Sequence, residues 1–237
     1  MSLLEIHALT MRFDGLVANQ EISFTLDAAK IVGLIGPNGA GKTTAFNCVA
    51  GHYRPSSGRI LLNGQTISGL PPEACALAGI GRTFQIARTF TSMTACENVL
   101  TGALLRHKRV NVARERALHW LRFVQLDAFA DKPAGSMTIS EQRRLAVARA
   151  LATEPKLLLM DEVMAGLNPS EVREMVAVVL RIRDSGIACL IVEHVLEGIM
   201  PIADKIVVLD RGLKIAEGTP AQVAADTLVI SAYLWYA

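Results

Sequence analysis

GPNGAGKTT (36–44) stands between a short β-branched run, KIVGLIG (30–36), and a helical pattern, KTTAFNCVA (42–50), that stops at Gly51. It reads G-x-x-x-x-G-K-[ST] in the strand-to-helix setting that gives this pattern its meaning. Glycines allow backbone N–H groups to turn inward around phosphate oxygens, and Gly39 and Gly41 can take angles that a side chain resists. The helix that follows adds the partial positive charge of its N-terminus. Gly36, Pro37, Asn38, Gly39, Ala40, Gly41, Lys42, Thr43 and Thr44 thus form a candidate ATP-binding loop. In it Lys42 can reach the β- and γ-phosphates, and the Thr43 hydroxyl can ligate Mg²⁺.

A second stretch complements the first. PKLLLMDE (155–162) is a continuous apolar run that ends in two carboxylates. Such runs suit strands of a sheet buried on both faces. In open α/β sheets the carboxyl end of such a strand faces the ligand crevice. Two adjacent acids there are costly without a cation or water partner. Asp161 can hold the Mg²⁺ shell, and Glu162 can orient or deprotonate the water that attacks the γ-phosphate. These residues alone predict a P-loop nucleoside triphosphatase.

The rest of the chain fits an α/β fold with a mixed, mainly parallel core sheet. Apolar runs alternate with helical patterns. IACLIVEH (187–194) is another buried strand, and DKIVVLDRGLKIAEG (204–218) is hairpin-like. GRILLNGQTIS (58–68) predicts a hairpin, since Asn63-Gly64 suits a tight primed turn. From residue 86 to 134 the character turns helical, so this segment is expected to be a helical insertion between core segments 1–85 and 135–218. Thr94-x-x-Glu97 opens one helix as a capping box, and 112–130 is amphipathic around Leu118, Leu121 and Val124. Thr219-Pro220-Ala221-Gln222 caps a final helix within 219–237. SMTISEQRRLAVARAL (136–151) predicts an amphipathic helix that begins with a second capping box, Thr138 to Glu141.

The 237 residues are ample for a sizeable core in one large domain. Half are apolar, yet no run reaches the roughly 18 residues of a membrane span. The N-terminus lacks the basic region and long apolar core of a secretion signal. A net charge of +2 gives no electrostatic footprint for nucleic acid. Cys48, Cys75, Cys96 and Cys189 lack metal-ligand spacing, so they are expected as reduced, mostly buried thiols of a cytoplasmic protein.

Several stretches together resemble the ATP-binding cassette of ABC transporters, along almost the whole chain. They are MRFDGLVA (11–18), GIGRTFQ (79–85), MTACENVL (93–100), SEQRRLAVARAL (140–151), DEVMAGLNPSE (161–171), IVEH (191–194) and IAEGTPAQV…ISAYL (215–234). More closely, the chain resembles the ATPase of bacterial branched-chain amino acid importers. The resemblance implies that Phe13 stacks on adenine. It implies that Gln85 contacts Mg²⁺ and the attacking water, and that His194 contacts the γ-phosphate. AGLN (165–168) implies a loop crossing to a partner cassette, and Asn168 with Glu171 also reads as a helix cap.

Thr138, Ile139, Ser140 and Glu141 fall at the cassette signature, usually L-S-G-G-Q. There the resemblance implies service in trans to the ATP of a second cassette. Ser140 replaces a glycine of that motif, which predicts asymmetric sites and a heterodimer, with a homodimer as the alternative. The resemblance further implies two membrane-spanning permease subunits, indirect contact with a solute-binding protein, and a peripheral place on the cytoplasmic face of the membrane. Three other readings stand beside it: a soluble ABC ATPase of DNA repair or chromosome maintenance, a P-loop kinase of a small metabolite, and a weakly catalytic nucleotide-binding subunit.

Overall fold

The computed structural model describes residues 2–83 and 89–234. The first two strands, β1 (Ser2–Phe13) and β2 (Leu16–Asp27), form a long antiparallel hairpin. They turn through Asp14-Gly15, both at positive φ (41° and 95°). A two-residue primed turn requires that pair of angles, and Asp-Gly supplies them. β4 (Ser57–Leu62) and β5 (Gln65–Thr66) complete a four-stranded antiparallel sheet of order β2-β1-β4-β5. Their Asn63-Gly64 turn has φ of 50° and 76°, as the sequence predicts.

The core sheet adds β3 (Ile31–Ile35), β6 (Ile80–Arg82), β7 (Leu157–Asp161), β8 (Ala188–Val192), β9 (Lys205–Asp210) and β10 (Leu213–Gly218). Its order is β10-β9-β3-β8-β7-β6, parallel except for the β9–β10 hairpin. Strand alternation sends successive residues to opposite faces, and both faces are covered. Leu158, Met160, Cys189 and Ile191 enter one hydrophobic cluster, which also takes residues of the helical segment. Leu157, Leu159, Leu190 and Val192 enter the other, with Phe46 and the inner face of the antiparallel sheet. All four cysteines are free and buried. Burial pushes the Cys48 and Cys189 thiols up to about 12, which makes them inert packing groups.

The helices that follow are α1 (Lys42–Val49), α2 (Pro72–Ala78), α3 (Ala95–Ala103), α4 (Val110–Phe123), α5 (Ile139–Leu151), α6 (Pro169–Asp184) and α7 (Leu196–Ile199). Of these, α1, α2, α5 and α6 pack on the core sheet, and α3 and α4 pack on α5. Capping boxes at Thr94, Thr138 and Asn168 start α3, α5 and α6. Two expectations change. α5 is not amphipathic in place: Ser140, Glu141, Leu145, Ala146, Val147, Ala148, Ala150 and Leu151 are all buried. The helix runs between α3, α4 and β6, so its small residues face neighbours on several sides. The C-terminal segment forms two helices, α8 (Pro220–Ala224) and α9 (Thr227–Leu234), where one was expected. Ala225 ends the first, and Asp226 caps the second, accepting from the Leu228 amide at 2.8 Å.

Candidate nucleotide site

The phosphate loop follows β3 at the carboxyl end of the core sheet. α1 starts from Gly41 at φ 95°, with no side-chain cap and no acid in its first turn. A Cβ on Gly41 would come within 2.4 Å of both the Ala18 carbonyl oxygen and Asn19 Nδ2. Only glycine fits that approach at that angle. Fully buried Asn19 donates to the Gly41 carbonyl at 3.1 Å and holds the loop from behind. The amides of the first turn stay uncapped, as an anion site requires.

Lys42 is 8% exposed. Its Nζ donates to the Gly36 and Pro37 carbonyls at 2.7 and 2.9 Å, across the loop's mouth. Burial lowers its pKa, while the carboxylates of Glu162 and Asp161 oppose that shift. Asn38, Gly39 and Thr43 are exposed.

Asp161 is the last residue of β7 and is 4% exposed. Burial pushes its carboxyl up; Arg82 pulls it back, Glu162 pushes it further, and Lys42 pulls it down. Glu162 leaves the strand at φ 50°. Its amide donates to the Val192 carbonyl at 2.8 Å, which pins it to the end of β8. His194, two residues beyond β8, is 53% exposed and puts Nδ1 3.6 Å from Glu162 Oε1. The strand order explains this meeting: β7 and β8 are neighbours, so residues just past their ends converge.

A cleft of about 640 Å³ is lined by residues 38–44, Glu162 and Phe13, with Leu16–Ala18 between. Phe13 is 37% exposed and meets Tyr53 edge to face at 5.2 Å between centroids. The structure thus brings Phe13, most of the loop and Glu162 to one cleft, with Asp161 and His194 beside it. Gln85 lies outside the described residues. Thr138, Ile139, Ser140 and Glu141 do not line the cleft. Among them Thr138 and Ile139 are exposed, whereas Ser140 and Glu141 are 5% and 9% exposed.

The oxygen donors fit Mg²⁺. Thr43 and Asp161 are hard ligands, and Mg²⁺ takes one or two protein oxygens with substrate phosphates and water. Among the described residues no group of three or more His, Cys, Asp or Glu could cage a metal without such a substrate.

The sequence reading missed Arg211 and Gly212, which also line the cleft. They form the β9–β10 turn. Gly212 accepts from the Gln20 amide at 2.8 Å and donates to the Ala40 carbonyl at 3.1 Å. Nothing local in the sequence announced that this turn reaches the phosphate loop. It also missed Tyr53 behind Phe13, and Arg143, which donates to the Glu162 carbonyl.

A sheet of this order, with a phosphate loop after β3 and a carboxylate pair after the strand two places away, defines a P-loop nucleoside triphosphatase. Comparison narrows the class. Residues 19–165 match the ABC transporter family model, and residues 214–234 match the branched-chain amino acid ATP-binding cassette transporter model. The high-affinity branched-chain amino acid transport ATP-binding protein BraF of Pseudomonas aeruginosa is 42% identical, with 98% of this chain and 97% of that protein aligned. Its counterpart LivG of Escherichia coli is 40% identical at the same coverage. The crystal structure of the ADP conformation of an ATP-binding cassette of an ABC transporter superposes with a TM-score of 0.91, at 28% identity and 99% coverage of both chains. The chain belongs to the ABC transporter family, as one of its ATP-hydrolysing cassettes.

Proposed function

We propose that this cassette is the motor subunit of an importer for branched-chain or related amino acids. The names of the 40–42% identical relatives and the match at 214–234 support this substrate class. The observation that carries the mechanism is the convergence of Glu162 and the phosphate loop at one cleft, with His194 beside Glu162.

ATP enters with adenine against Phe13 and its phosphates in the loop. The loop amides and Lys42 take the phosphate charge, with the ammonium turning from the Gly36 and Pro37 carbonyls. Glu162 orients and deprotonates the attacking water, and His194 contacts the γ-phosphate. Thr43, Asp161 and Gln85 would hold Mg²⁺, which would supply charge neutralisation to the phosphates. Positioning and charge stabilisation carry most of such a reaction.

The site is completed by a second ABC cassette. The capping box at the start of α5 occupies the amides of Thr138 and Glu141. Those of Ile139 and Ser140 are outside the box, available to the partner's nucleotide. A related second cassette is the partner in this reading, with an identical copy as the alternative. Attachment to the membrane runs through two permease subunits, with a solute-binding protein acting through them. Among the described residues no helix is long and apolar enough to cross a membrane, which fits peripheral attachment.

The test is purification of the tagged chain from detergent-solubilised membranes with identification of what accompanies it. Two permease subunits and a second cassette, with phosphate release but no small-molecule phosphoacceptor, are the expected result. A complex without permeases overturns the importer reading.

A further inference from the structure

Glu162 is held at an angle that non-glycine residues seldom adopt, φ 50°. Such a backbone persists where its surroundings over-determine it. Here the clamp has three parts. The Glu162 amide bonds the Val192 carbonyl at 2.8 Å. Two residues on, the Met164 amide donates to Oε1 of fully buried Glu193 at 2.7 Å. Between them, the Arg143 guanidinium donates to the Glu162 carbonyl. The first two ties come from the end of β8, the neighbouring strand. The third comes from α5, a different layer of the molecule.

Arg143 lies one turn into the helix that starts at Thr138. Burial lowers its pKa, and the carboxylates of Glu193 and Glu162 oppose that shift. A half-buried guanidinium aimed at a main-chain carbonyl costs desolvation and long-side-chain entropy. The carbonyl it holds belongs to the residue whose side chain must meet the attacking water.

We infer that Arg143 is a positioning residue for Glu162. It fixes the backbone of the catalytic carboxylate from the same helix whose N-terminus faces the partner's nucleotide. α5 thereby links the helix start proposed to serve the partner's nucleotide to the backbone of Glu162 in its own site. The inference rests on the proposed role of Glu162 and assigns no contact between Arg143 and the substrate.

The experiment compares Arg143→Met, Arg143→Lys and Glu162→Gln in the full-length chain, with its partner cassette where that is purified. It measures kcat, KM, equilibrium Mg-ATP affinity and melting temperature. Arg143→Met is expected to lower kcat by about 10- to 100-fold, the loss that roughly 1 Å of misplacement brings. Mg-ATP affinity should stay within about twofold, because the phosphate contacts lie elsewhere. Arg143→Lys keeps a donor and should recover most of the lost kcat. If Arg143→Met does not fold, Arg143→Gln takes its place, since its stem is too short to reach the carbonyl. Wild-type kcat in Arg143→Met, or equal losses in Met and Lys variants, overturns the inference. Undiminished turnover in Glu162→Gln overturns the functional reading beneath it instead.

Discussion

Two helices in this molecule begin at places where a nucleotide is expected, and they begin in opposite ways. α1 starts bare: Gly41 is left-handed, no side chain caps it, and no acid occupies the first turn. α5 starts with a capping box. The Thr138 hydroxyl accepts from the Glu141 amide at 3.2 Å, and the Glu141 carboxylate accepts from the Thr138 amide at 2.8 Å. An uncapped N-terminus leaves unpaired N–H groups, which is a cost in the free chain and the means of binding in the complex. α1 meets that cost because Asn19 and Lys42 brace the loop from within the same chain. The tip of α5 is braced too, by Lys132 on the Glu141 carboxylate at 3.2 Å and by Gln142 on the Ala134 and Met137 carbonyls at 3.3 and 3.0 Å, but its box takes up two of its own amides. α1 offers its bare start to the chain's own nucleotide, whereas α5 keeps a cap and leaves only the Ile139 and Ser140 amides for a partner's.

The largest expected effect tests whether the bare end is the hydrolytic one. Glu162→Gln keeps the shape and removes the charge, so turnover should fall roughly 10²- to 10⁴-fold. Mg-ATP should still bind, and the variant should accumulate as an ATP-bound dimer in light scattering. Undiminished phosphate release breaks the pairing of α1 with Glu162.

Lys42→Ala comes next. Loss of charge-assisted bonds worth about 1.5–3 kcal/mol should weaken Mg-ATP by about 10- to 100-fold. The wild type also carries a pH signature. Burial holds Lys42 below its ordinary 10.5, and the ammonium is the binding form. Affinity is therefore full below the lowered pKa and falls as pH rises through it, before 10.5 is reached. Equilibrium titrations of wild type and Lys42→Ala at neutral and alkaline pH should show the fall only in the wild type. A parallel fall in both assigns the effect to another group.

The two ends were unequally legible in the sequence. The phosphate loop, the acidic pair and every capping box are local patterns, fixed within a few residues by backbone chemistry, and the structure forms them where they were read. The roles of Phe13 and His194 came only through family resemblance, because a single aromatic or imidazole has no spacing to read. The clamp on Glu162 was not legible at all. Arg143, Val192 and Glu193 reach that loop from α5 and β8, and no periodicity reports which arginine of QRRLAVAR turns inward. The amphipathic reading of α5 failed for a related reason. Alanines that pack against neighbouring helices look the same in sequence as alanines of a neutral surface, and the extra faces buried here depend on α3 and α4.

Two capping boxes allow an internal control. Thr94 caps α3 with the same reciprocal bonds, 3.1 Å from the Glu97 amide and 2.8 Å back to its carboxylate. Thr94→Ala and Thr138→Ala should each cost about 1 kcal/mol, a drop of roughly 2–4 °C in melting temperature for a chain of this size. Only Thr138→Ala should also lower the ATPase of the assembled dimer. Equal loss of activity in both variants reduces the Thr138 box to a cap and nothing more.

The smallest effect belongs to the residue that most clearly departs from the signature. Read as sequence, Ser140 puts a side chain where glycine lets backbone approach phosphate, and replacement by glycine is expected to raise activity. The fold changes that expectation. Ser140 is 5% exposed, turned into its own chain, while Ile139 beside it is 66% exposed. Removing an inward hydroxymethyl clears little of the face a nucleotide approaches, and glycine in place of serine costs roughly 0.5 kcal/mol in a helix. Ser140→Gly should therefore leave dimer turnover within about twofold and lower melting by about 1–2 °C. Ile139→Gly trims the side chain that does project, so it should change turnover more than Ser140→Gly does. Steady-state ATPase of the two variants with the partner cassette decides the order. A large gain from Ser140→Gly with none from Ile139→Gly returns the asymmetry to Ser140, and shows that α5 repacks its first turn when the two chains close.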